Sequence, residues 1–178
     1  MFSSRLIAIA LVVGSAVGAM PAMAQCSGSD SCSTTNTASV TVGALVNLEM
    51  SSATTALTAP VVADLATGYV ADVGPTFTVH ANQDWTMSIK SGALNPTSWD
   101  YEGTKGGVKP IGDLTWSTDA AGTFASLTSS NATVASDAAT DAGAVSVFFR
   151  TSYSSNYASL TNRPGVYSLP VLFTLSAP

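Results

Sequence analysis

The chain has 178 residues, a formal net charge of −5 and only 10% charged side chains, while 46% are hydrophobic. That length fits one domain able to bury about 70% of the surface its unfolded chain exposes. Six lysines and arginines against eleven acids speak against nucleic acid and anionic membrane surfaces as partners, since both select basic patches.

The N-terminus sets the compartment. Met1 to Arg5 carries one positive charge, Leu6 to Met20 is an apolar run, Pro21 breaks it, and Ala22-Met23-Ala24 puts small residues at −3 and −1 of a cleavage site. This three-part layout is that of a Sec signal peptide over residues 1–24. A membrane anchor needs ~20 consecutive apolar residues, and Gly14, Ser15 and Gly18 dilute the run. A lipid anchor on Cys26 would need a small residue directly before it, where the chain has Gln25. The expectation is export to the periplasm, cell surface or medium, with no membrane span in the mature chain.

Residues 25–39 are mainly Ser, Thr, Asn and Gly and read as a polar, flexible lead-in. The only two cysteines, Cys26 and Cys32, lie at its start. In an oxidising compartment such a pair is expected to close into a local disulfide. By chain entropy the short loop would add about 2 to 3 kcal/mol at most. Metal binding is the sharper alternative, but two cysteines and one distant histidine cannot complete a four-ligand zinc site.

The remaining segment, 40–178, carries the period of a strand. Val40, Val42, Ala44, Val46, Leu48 and Met50 fall on every second position, which predicts one buried face. Phe77 and Val79, then Trp85, Met87 and Ile89, repeat the alternation on either side of a turn at Asn82-Gln83-Asp84. Leu114 and Trp116, then Phe124 and Leu127, make shorter runs, and Val145, Val147 and Phe149 continue towards Tyr153. Tyr167, Leu169, Val171, Phe173 and Leu175 form the closing run. Turn residues separate these runs at 71–75, 94–96, 103–110, 119–122 and 162–165. Seven or more short strands with frequent turns predict an all-β, Ig-like antiparallel sandwich. Thr133 to Gly143, rich in Ala and Asp, is the one stretch with the composition of a helical turn. Pro170 removes a backbone donor from the last strand, which places that strand at an edge or gives it a bulge. An edge can accept a strand from another chain, or the proline can block such pairing.

Chemistry-bearing constellations are sparse. His80 lies on the polar side of a strand-like run with no nucleophile elbow in view, and a Ser/His/Asp triad would need one. The only glutamates are Glu49 and Glu102, and the aspartates fall in turns, where they bond local backbone. Asp137 and Asp141 share a loop and are weak calcium candidates, although their spacing matches no EF-hand. Gly103-Thr104-Lys105-Gly106-Gly107 lacks the spacing of a phosphate loop. Trp85 and Trp116 sit on apolar faces and read as core. Trp99 and Tyr101 lie in a loop, where they either offer sugars a stacking platform or cap one end of the domain. No cofactor and no catalytic residue is expected.

Thr76-Phe77-Thr78-Val79 running into Asn82-Gln83-Asp84-Trp85-Thr86-Met87, with Pro164-Gly165-Val166-Tyr167 and Val171-Leu172-Phe173-Thr174-Leu175 at the close, resembles secreted bacterial β-sandwich surface proteins. These include fimbrial subunits and spore-coat-protein-U-like domains. The resemblance covers the pattern of residues 38 to 178 and implies an Ig-like sandwich with a non-enzymatic role at the cell surface. The expected function is therefore an exported structural or adhesion protein, self-assembling or attached to other envelope proteins. The alternative is a secreted carbohydrate-binding module using Trp99 and Tyr101.

Overall fold

Side chains that alternate apolar and polar leave a helix no single face to bury, and here they make strands. The computed structural model describes residues 28, 31–33, 36–93 and 97–178. The expected signal peptide, Cys26 and the turn at 94–96 lie outside the described residues. Residues Val42–Pro178 form one compact unit.

Ten strands are present among the described residues: β1 (Val46–Met50), β2 (Tyr69–Ala81), β3 (Trp85–Ser91), β4 (Asp100–Glu102), β5 (Leu114–Ser117), β6 (Ala125–Ser126), β7 (Ala132–Asp137), β8 (Thr140–Ser152), β9 (Val166–Ser168) and β10 (Val171–Ser176). One five-stranded sheet has the order β1-β2-β8-β5-β6, a second has the order β10-β3-β7, and β4 pairs with β9. Every one of these pairings is antiparallel. The fold is all-β, as the alternation predicts, and its layering is consistent with a β-sandwich.

The core lies between the two larger sheets. Phe77, Val79, Val145, Val147, Phe149, Leu114 and Trp116 face inward from the first sheet, and Trp85, Met87 and Ile89 from the second. The rings of Phe77 and Phe173 meet across the gap with centroids 4.5 Å apart. Burying one such side chain stabilises by about 1.5 to 3 kcal/mol, so this alternation is the main determinant of the fold.

Four expectations about the elements need correction. The strand expected over 40–50 begins only at Val46. Its partner β2 ends at Ala81, and the Asn82 side chain takes over by accepting from Leu45 N and donating to Gly43 O. Second, the expected turn at 71–75 lies inside β2, where Gly74 and Pro75 are absorbed as a register shift against β8 between Val73 and Thr76. Third, Thr133 to Gly143 forms no helical turn but belongs to β7, a tight connection and the start of β8. Small residues there leave the choice to pairing partners. Fourth, the closing run is two strands, because Pro170 separates β9, on β4, from β10, on β3. As the proline predicts, β10 is an edge strand.

The sequence gives no sign of the short helix α1 (Val62–Thr67). Asp64 caps it by accepting from Val61 N at 2.8 Å, and Gly68, at φ 87°, closes it. Only glycine adopts that left-handed geometry without strain.

Of the expected Cys26–Cys32 pair, only Cys32 lies among the described residues. Cys32 is exposed and is not a free thiol, being disulfide-bonded.

Candidate functional site

The inward rows of the sheets are not covered equally. On β3, Met87 and Ile89 are at most 1% exposed, whereas Val171, Phe173 and Leu175 of the neighbouring β10 are only partly buried. On the facing sheet, Leu48 of β1 is likewise partly buried. Both β1 and β10 are terminal strands of their sheets, and they approach one another. Along this side the molecule presents unpaired backbone groups beside incompletely covered apolar side chains. Val46 and Met50 on β1 and Leu172 on β10 add exposed apolar surface, as do Val42 and Leu45 before β1. Open edges of this kind are templates for pairing with another chain.

Of the two readings of the aromatic loop, a sugar platform or a cap on one end of the domain, the paired platform would need both rings open to solvent. Trp99 is buried at 6% exposure, and its indole N–H donates to Pro110 O at 3.0 Å. Tyr101, in β4, stacks on Tyr167 of β9 with centroids 4.9 Å apart and donates its hydroxyl to Pro164 O at 2.8 Å. Tyr167 donates to Arg163 O at 2.9 Å, and burial holds its hydroxyl above the usual tyrosine range. The two rings thus tie together the chain ends of the small sheet. Tyr101→Phe keeps the ring and removes two hydrogen bonds, the one donated to Pro164 O and a longer one accepted from Lys105 N at 3.3 Å, so it is expected to cost about 1 to 2 kcal/mol of stability. Urea unfolding reads this, and an unchanged midpoint would show that the hydroxyl contributes nothing.

Lys109 is the residue that sequence reading passes over. It is 1% exposed, at the end of the loop that follows β4. Its ammonium donates to Ser152 O and to Asp113 Oδ2 at 3.3 Å, and lies 4.2 Å from the Tyr153 ring centroid and 5.8 Å from that of Trp99. Burial lowers its pKa, and the Asp113 carboxylate acts against that shift. Burial and the charges of Asp72, Asp113 and Asp64 raise the pKa of Tyr153. Nothing in the sequence marks this lysine, since a Lys beside a Pro in a Gly-rich loop reads as a solvated charge.

The remaining candidates stay apart. Asp137, at the end of β7, accepts from Ala138 N and lines a shallow depression with Asp84. Asp141, in β8, lines a different one with His80. Among the described residues no three acid, histidine or cysteine side chains cluster to hold a metal. His80 Nε2 lies 3.8 Å from Glu49 Oε1 on the surface of the β1–β2 pair. No helix among the described residues is long and apolar enough to cross a membrane.

No family model and no curated protein matches the chain.

Proposed function

We propose that this is an exported, non-enzymatic structural or adhesion subunit with an Ig-like sandwich fold, which associates with further copies or with other envelope proteins through its open sheet side. The observation that carries the reading is the half-covered inward row of β10, at an edge, next to the β1 edge. Strand addition there would satisfy backbone groups and cover Phe173 and Leu175 together, the pairing of hydrogen bonds and side-chain pockets that β-augmentation uses. The polar groups with the most catalytic potential have structural partners: His80 pairs with Glu49, and Lys109 binds backbone and Asp113. A glycan platform on Trp99 and Tyr101 finds little support, since one ring is buried and the other lies on Tyr167. Pro170 precedes β10 and so leaves the six residues of that strand able to pair.

Light scattering on the mature protein across a concentration series tests the reading. Mass should grow with concentration, and Leu172→Lys, which puts a charge on the edge strand, should hold the protein at the mass of one chain. A monomer at every concentration, alone and with envelope extracts, would sink the proposal.

A further inference from the structure

Three adjacent strands of the larger sheet carry three buried polar atoms on two neighbouring rungs of one face. Residues paired across antiparallel strands point to the same face. Asp72, Phe149 and Trp116 form one inward rung across β2, β8 and β5, and Val70, Thr151 and Leu114 form the next. Asp72 Oδ2, Thr151 Oγ1 and Trp116 Nε1 are all buried without a hydrogen-bond partner. Thr151 is 1% exposed and Trp116 is 7% exposed, so bulk solvent does not serve them. The other Asp72 oxygen is fixed by Thr58, which donates from its backbone N at 3.1 Å and its hydroxyl at 2.6 Å. Phe149, between Asp72 and Trp116, leans over Gly74, where a Cβ would meet its ring at 2.7 Å.

We propose that Asp72, Thr151 and Trp116 form an internal binding site for one long-lived water molecule that ties β2, β8 and β5 together. The donor set selects the occupant. An indole N–H can only donate and a carboxylate oxygen only accepts, while the threonine hydroxyl does either. The bound species must both accept and donate, which a metal cation cannot do. Two to four polar partners are what buried waters have.

Water-to-protein cross-relaxation at the indole protons tests this in the intact protein. Trp99 is an internal control, because its N–H is already bonded to Pro110 O. Trp85 Nε1 also lacks an acceptor, so Trp116→Phe is used to assign the Trp116 signal. The expected result is a long-lived water contact at Trp116 and none at Trp99, lost in Thr151→Val and retained in Thr151→Ser. The absence of a long-lived water contact at all three indole N–H signals of the wild type would overturn the proposal with no need for any variant to fold, and so would its absence at the assigned Trp116 signal. So would a contact that survives Thr151→Val unchanged.

Discussion

Replacing Lys109 by alanine is expected to destabilise the protein by about 3 to 4 kcal/mol, towards the lower end of what breaking a buried charge pair costs. Three losses combine. The ammonium leaves Ser152 O and Asp113 without their donor, the stem leaves a cavity, and the cation is withdrawn from the Tyr153 ring. The figure stays at the lower end because the Asp113 side chain is 23% exposed and can be hydrated. Lys109→Met separates these contributions. It refills the stem volume, so the loss should fall to about 1 to 2 kcal/mol, the scale of the missing hydrogen bonds. Urea unfolding with an unchanged slope reads both variants. Equal losses for Ala and Met would show that packing plays no part, and a loss under about 1 kcal/mol for Ala would show that Lys109 fastens nothing.

The same residue gives a pH dependence of definite sign. Burial holds the Lys109 pKa below the ordinary 10.5. Between the folded and unfolded values the unfolded chain binds more protons, so stability rises with pH across that interval. Below the folded value lysine is protonated in both states and contributes no slope. Tyr153 and Tyr167, raised by burial from 10.0, act in the opposite sense above that pH. The rise belongs to the alkaline side below about pH 10, and Lys109→Met should remove it. An identical slope in that variant would assign it to another group.

What the sequence makes legible follows the range of the forces involved. Alternation is local, and it predicts the all-β class and the inward rows of β2, β3, β5, β8 and β10. Trp85 and Trp116 are in the core for the same reason. What depends on a distant partner is not legible. The length of β1 is set where β2 stops and Asn82 begins to bracket the chain, 37 residues beyond Leu45. The register shift at Gly74-Pro75 looks like a turn until β8 is alongside. Lys109 becomes a buried residue only because the 97–113 segment is folded against Tyr153 and Ser152. Tyr101 and Trp99 are two residues apart yet have different surroundings, one on the small sheet and one in the main core. The edge position of β10 is the informative intermediate case. Pro170 predicts it from local chemistry, but the half-covered state of Phe173 and Leu175 depends on which strand is missing beside them.

The Pro164-Gly165-Val166-Tyr167 segment gives the second large effect, Gly165→Ala. A Cβ at Gly165 would stand 2.3 Å from Tyr101 Cε2 and 2.8 Å from Glu102 O. Its φ is not positive, so the constraint is space and not backbone conformation. Neither neighbour yields easily. Tyr101 is pinned between its bond to Pro164 O and the Tyr167 ring, and Glu102 O belongs to the strand paired with Val166. Gly103 and Gly107 also pack against the Tyr101 ring, which is partly buried, so a shift of that ring disturbs further contacts. The expected cost is about 2 to 3 kcal/mol, the upper part of the range for overpacking a filled site. Adding Tyr101→Ala to Gly165→Ala should recover part of it, because the closest clash is with that ring while the Glu102 carbonyl remains. A double-mutant cycle by urea unfolding measures this recovery. Additive losses would mean that the glycine is required by the β4–β9 backbone alone, and that the tyrosine ring could have moved aside.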